Sequence, residues 1–292
     1  MGRAAIPRSA MGHLLVVSIV WAFSFGLIKG NLQGLDPSFV SFVRMALSLV
    51  VFLPFLRVRG MGRSRAVQLM LLGGVQYGLM YVLYIASFRY LAAHQVALFT
   101  VFTPLFVVAL DDVAERKFRP GFAGAALLAV GGAAVLGTTS LSALGAWKGL
   151  LLVQGSNLCF AIGQVWYRRL GPGPGPDRST FALAYAGAVT VTGLGMVLTT
   201  GSVPGTLTFT QGWTLGYLGV VASGLCFFLW NVGATRTNAA VLAVFNNVKV
   251  PLAVLVSLVV FGESADLLRL GGGGALVAVA LWLGSRVANK ER

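Results

Sequence analysis

The chain has 292 residues, of which 57% are hydrophobic and only 10% charged, with 22 Lys and Arg against 8 Asp and Glu and a net charge of +14. A soluble globular domain carries about 25% charged residues, so this composition excludes one and points to an integral membrane protein. A basic excess of this size suggests nucleic acid in a soluble protein, but here the charges flank apolar runs, and no nucleic-acid partner is expected.

With roughly 20 residues needed to cross about 30 Å of hydrocarbon, ten spans fit the sequence: 13–31, 38–57, 66–89, 92–111, 120–139, 146–167, 179–200, 212–235, 238–261 and 267–287. The first follows Arg3 and Arg8 but lacks a small-residue cleavage site, and Lys29 closes it, so it reads as a retained span and not a cleaved signal. It carries Trp21 and Phe25. In the second, Arg44 lies near enough to the outer end that snorkelling or helix packing is its expected role. The third places Tyr77, Tyr81, Tyr84 and Phe88 four, three and four residues apart, on one helical face. Tyr77 and Tyr81 are the ones expected to wall a cavity, while Tyr84 and Phe88 approach the interfacial aromatic belt.

His94 and Gln95 open the fourth span, and Pro104 marks a kink within it. Glycines 121, 124, 131 and 132 give the fifth a small face suited to close helix packing, as Gly271 to Gly274 do in the tenth. These two spans are expected to pack together or brace the bundle. A monomer is expected, and a dimer seam along these glycines is the alternative. The sixth span has a polar stripe, Gln154, Asn157, Ala161, Gln164 and Arg168, which cannot face lipid cheaply. The eighth carries Trp230 and Asn231, and the ninth Asn246, Asn247, Lys249 and Pro251. Cys159 and Cys226 fall in different spans and suggest neither a disulfide nor a metal.

The third to fifth spans resemble the eighth to tenth. Gly78 to Tyr84 reads GLMYVLY and Gly224 to Trp230 reads GLCFFLW; Ala92-Ala93 recurs as Ala239-Ala240, Pro104-Leu105 as Pro251-Leu252, Glu115 as Glu263, and Arg119-x-Gly121 as Arg269-x-Gly271. The chain is therefore expected to be all-α, with a first five-helix repeat over 1–139, a second over 146–287 and a tail at 288–292, joined through GPGPGP at 171–176. Five is odd, so the second copy enters the membrane inverted, as in many secondary transporters. Counting 16 Lys and Arg at one set of span ends and four at the other, both termini are expected in the cytoplasm.

All eight carboxylates sit at span ends or in loops. A carrier of cationic drugs needs an intramembrane anion, so that class is disfavoured, and no carboxylate proton relay is evident. Facilitated transport down a gradient is expected. Lys249, near the centre of its span, suits a substrate carboxylate. The candidate substrate-binding set is Lys249, Tyr77, Tyr81, Trp21, Phe25, Asn157, Gln164, Asn246, Trp230 and Gln95, with Pro104 and Pro251 as hinges. No nucleophile with a base, metal set or carboxylate pair is assembled, so no enzyme activity, metal or cofactor is expected.

The chain resembles the drug/metabolite transporter superfamily, specifically its ten-helix carriers with two EamA-type repeats. The likeness rests on Trp21-Ala22 with Lys29, Arg44, Thr103-Pro104, Asn157 with Ala161, and Lys249-x-Pro251 with Gly262-Glu263, in that order. Ala114-Glu115 departs from the usual Gly-Glu. The stretches GLMYVLY, SNLCFAIGQVWYRR, LWNVG and FNNVKVPL look most like bacterial YddG-type amino-acid exporters. That resemblance implies a carrier in the bacterial inner membrane exporting aromatic and other neutral amino acids by alternating access. A carrier of an anionic metabolite, such as a sugar phosphate or nucleotide sugar, is the alternative.

Overall fold

The computed structural model describes residues 8–116, 143–171, 178–199, 203–236 and 239–268, with positions 271, 272, 275 and 279. Every regular element among them is helical. We number them α1 (Arg8–Asn31), α2 (Pro37–Phe52), α3 (Arg63–Ser87), α4 (Ala93–Glu115), α5 (Ala143–Leu170), α6 (Arg178–Thr199), α7 (Phe209–Thr235) and α8 (Ala239–Val259). Seven are long and apolar enough to cross a membrane, and α8 contributes a shorter apolar helix, Phe245–Val259. They occupy the expected first to fourth and sixth to ninth spans. The fifth span with its glycine face, most of the tenth, most of the 171–176 connector and the tail lie outside the described residues.

Local chemistry explains the helix starts. Asp36 accepts from the N–H groups of Ser38 and Phe39, and Pro37 opens α2 where its missing N–H costs nothing. Thr208 and Gln211 form a reciprocal capping box at α7. Apolar side chains such as Leu15, Ile19 and Phe23 on α1 and Leu194, Val197 and Leu198 on α6 are exposed, as residues facing lipid are.

The two copies run in opposite directions. Lys29, ending α1, donates to the Phe88 carbonyl just beyond α3 (2.8 Å), so α1 and α3 finish together. Gly149, early in α5, packs against Tyr90 and Leu91 at that same end, while Arg65 at the start of α3 donates to the carbonyls of Leu170 and Gly171 where α5 stops. Thus α5 is antiparallel to α1, its counterpart by sequence. The packing obeys the same exchange: α1 lies against α7 and α8 as α5 lies against α3 and α4, and α2 lies against α6 and α7 as α6 lies against α2 and α3. Even a backbone irregularity recurs, a π-helical stretch at Gly74–Leu79 in α3 and at Leu218–Leu225 in α7.

Candidate functional site

Two irregular stretches free backbone carbonyls in the bundle interior, and polar side chains, most of them from other helices, take them. In α4, Pro104 has no N–H for the Thr100 carbonyl four residues back, and a 3-10 turn forms at Thr100–Phe102. The Thr100 carbonyl then accepts from Thr103 Oγ1 (2.8 Å) and Asn246 Nδ2 (3.5 Å), and the Phe99 carbonyl from Asn157 Nδ2 (2.8 Å) and Gln154 Nε2 (3.4 Å). In α7 the π-helical stretch presents the Ala222 carbonyl to Trp21 Nε1 (2.9 Å), Gly219 to Ser48 Oγ (2.8 Å), and Ser223 and Gly224 to the Tyr185 hydroxyl (2.8 and 3.0 Å). These bonds satisfy groups that hydrocarbon would leave stranded, and so fix side chains from both copies around one centre.

At that centre is a cavity of about 70 Å3, walled by Trp21, Ser24 and Phe25 of α1, Arg44 of α2, Met80, Tyr81 and Tyr84 of α3, Thr100 and Thr103 of α4, Ser156, Asn157 and Phe160 of α5, Phe227 of α7 and Lys249 of α8. This is below the roughly 300–1,000 Å3 of sites that engulf a drug-sized ligand, so a metabolite requires its walls to move apart. Lys249 donates to Asn246 Oδ1 (3.0 Å) and faces the rings of Trp21 (5.2 Å) and Phe160 (6.0 Å). Trp21 in turn packs against Phe227 and Trp230. Arg44, 1% exposed, lies over the Tyr81 ring at 4.1 Å and donates to the Tyr81 hydroxyl (2.9 Å) and Ser223 Oγ (3.0 Å). No carboxylate is among the walls formed by the described residues.

The expected residues divide into three groups. Lys249, Tyr81, Trp21, Phe25 and Asn157 meet at the cavity. Gln164, Trp230 and Asn246 instead line a smaller neighbouring pocket that shares Thr103 and also touches Pro104; Trp230 Nε1 donates to Gln164 there (3.4 Å). Tyr77 and Gln95 are outside both. Tyr77 is fully buried, stacked on Tyr185, and its hydroxyl accepts from Asn231 (2.9 Å). The π-helical stretch around it holds an extra residue per turn, so a count of 3.6 across it misplaces Tyr77, while Tyr84 faces the cavity. Gln95 accepts from the Ala92 N–H (3.0 Å) and so caps its own helix. For Arg44 the two expected roles divide: it does not snorkel but turns inward, packed against α3 and α7 through Tyr81 and Ser223. Ser41, Arg44 and Ser48, spaced three and four, all fall on the buried face of α2, a stripe visible in the sequence that marks the interior side.

Of the two proline sites, Pro104 sits at a real break, whereas Pro251 lies exposed within a continuous α8. Cys159 and Cys226 are free thiols.

A second polar cluster closes the end where α1 finishes. Glu263, just past α8, accepts from the N–H groups of Ala93 (2.8 Å) and His94 (3.1 Å), from His94 Nδ1 (2.8 Å) and from Ser257 Oγ. It thereby caps α4 with a carboxylate from the other copy. Burial alone would raise the Glu263 pKa, but the bonds from His94, Ser257 and the two backbone N–H groups hold it at about 2. Beside it, Phe261 fills the groove left by Gly26 and Gly30.

The sequence pattern of the EamA-like transporter family matches residues 8–138 and 147–285, nearly the whole chain in two segments. The chain belongs to that family. It is accordingly a multi-pass membrane transporter and not an enzyme. Proteins named "Biotin transporter" from Salmonella typhimurium and Escherichia coli (strain K12) are 40% and 39% identical to it over 276 residues, covering 94% of this chain and 92% of theirs. A "Probable biotin transporter" from Pseudomonas aeruginosa is 38% identical over 296 residues, covering 96% and 99%. A solved structure described as "Crystal structure of protein" has a TM-score of 0.66 at 19% identity, covering 96% and 99%, which shows a shared fold. The resemblance to YddG-type exporters is thereby corrected within the family: curated relatives near 40% identity are named for biotin.

Proposed function

We propose that this chain is a biotin carrier of the bacterial inner membrane, in which two inverted five-helix repeats alternate access to the cavity between Arg44 and Lys249. The observation that carries the reading is the likeness, end to end and near 40% identity, to proteins named biotin transporters. The cavity supports it chemically. Biotin is a monocarboxylate with an apolar chain and a fused ring system bearing a urea group. Two cations answer the carboxylate, the Phe25, Phe160 and Phe227 rings suit the apolar parts, and Thr103 with Asn157 supplies hydroxyl and amide partners for a urea.

The same geometry weighs against amino-acid export. A zwitterion brings an ammonium group that seeks an anion, and the described walls offer two cations and no carboxylate. The anionic-metabolite alternative fits the charge better, but a phosphate dianion would leave most of the aromatic wall without a matching surface. With amino-acid export set aside, the direction of flux follows the substrate gradient.

Uptake of radiolabelled biotin into proteoliposomes containing the purified protein tests the reading. We expect saturable uptake, blocked by excess unlabelled biotin and untouched by tryptophan or glucose 6-phosphate. Tryptophan or glucose 6-phosphate carried in place of biotin would overturn it in favour of the corresponding alternative.

A further inference from the structure

Two buried cations face one cavity, and their surroundings differ. The Lys249 ammonium has an acceptor, Asn246 Oδ1, and two aromatic faces. The Arg44 guanidinium has only neutral hydroxyl partners, Tyr81 and Ser223, besides the Tyr81 ring, and its Nη1 is buried with no partner at all. No carboxylate pairs with Arg44 among the described residues. An unpaired charge in the interior is costly, because no partner offsets the water it has lost. A merely structural role does not require one, since an uncharged side chain of similar length would satisfy the same two hydroxyls.

The guanidinium is also held in place. Ser223 belongs to the π-helical stretch of α7 and itself donates to the Tyr81 hydroxyl (3.1 Å), which closes a three-membered ring of bonds with Arg44. The Ser48 hydroxyl, one turn along α2, accepts nothing from the guanidinium and instead ties the Arg44 and Gly219 carbonyls together (3.0 and 2.8 Å), anchoring the backbone beneath the side chain. A planar fork fixed through Nε and one N–H of Nη2 leaves Nη1 and the second N–H of Nη2 along one edge, and an arginine edge of two nitrogens meets a carboxylate through two parallel N–H bonds.

We propose that Arg44 is the residue that selects the carboxylate of the transported acid, with Tyr81 and Ser223 as its positioning residues. The inference rests on the biotin reading and deepens it: the first copy contributes the acid-selecting cation and the second contributes Lys249 within its aromatic box. Specificity for the acid over a neutral derivative of the same shape therefore resides in α2 more than in α8.

The test compares uptake of biotin and of biotinamide, its neutral analogue, by wild-type, Arg44→Gln and Lys249→Gln protein in liposomes. Wild type is expected to prefer the acid, Arg44→Gln to lose that preference at least tenfold, and Lys249→Gln to retain most of it. Arg44→Lys, which keeps charge but not the fork, is expected to raise KM for biotin several-fold with little change for the amide, and serves alone if the Gln variant does not fold. Equal losses for acid and amide, or a preference that survives in Arg44→Gln, would overturn the proposal while leaving biotin transport standing. Wild type that carries neither compound would overturn the biotin reading itself.

Discussion

Lys249 and Glu263 illustrate how opposite charges are made tolerable in an apolar bundle. Lys249 spreads its charge over Trp21 and Phe160 and donates to Asn246, which is itself anchored on the carbonyl that Pro104 releases. Lys249→Ala is expected to cut biotin uptake at least tenfold while the protein remains folded, because the substitution removes a desolvated charge along with its partner bond. Recovery of wild-type flux in liposomes would exclude a binding role. Glu263 gathers four donors, and its pKa of about 2 lies below the ordinary carboxylate value. A depressed pKa stabilises the folded form above the unfolded value of about 4.3, and the benefit fades only as pH falls toward 2. Glu263 therefore stays ionised in the folded protein between pH 5 and 8, and Glu263→Gln should be destabilised throughout that window by about 1–3 kcal/mol. Melting curves of the purified pair at several pH values read this directly, and coincident curves would show that the clasp adds nothing.

Among the elements, α3 and α6 approach closely, and glycine permits it. A Cβ on Gly73 would stand 1.9 Å from the Ala184 carbonyl oxygen, and one on Gly187 1.9 Å from that of Met70, so each backbone occupies the other's missing side chain. Gly187→Val is expected to prevent folding into a monodisperse particle, whereas the same change at Gly212, with nothing within 4 Å, should be tolerated. Size-exclusion profiles in detergent distinguish the two. The helices themselves were legible as apolar runs, because a span must satisfy its own backbone and cover about 30 Å. The π-helical stretches were not legible, because periodicity assumes 3.6 residues per turn, and this is why Tyr77 exchanges places with Tyr84. Pro104 did signal its break; Pro251, the equivalent residue, sits in an unbroken helix, since the identity of a proline does not decide whether neighbouring side chains will take the freed carbonyl.

At the scale of the whole molecule, the two copies run in opposite directions, and the reciprocal packing of α1 with α7 and α8, and of α5 with α3 and α4, places the cavity on the seam between them. For its orientation the charge asymmetry motivates a proposal, both termini in the cytoplasm. With both termini in the cytoplasm, a cysteine replacing Gln33 should react with a membrane-impermeant maleimide in intact cells, and one replacing Arg59 only after permeabilisation, in a background where Cys159 and Cys226 are removed; both positions are exposed. The reverse pattern would invert the proposed topology.

Composition, span length and internal repetition by themselves determined the class, the duplication and the likeness to two-repeat carriers, because those depend on hydrocarbon thickness and on the cost of burying charge, which act on every residue alike. Only the tertiary structure decided which polar side chains share a space. Arg44 and Lys249 are separated by 205 positions in the chain and lie on different copies. They wall one cavity because carbonyls released at Pro104 and in α7 draw Asn157, Asn246 and Trp21 inward, and such long-range hydrogen bonds leave no periodic trace in the sequence.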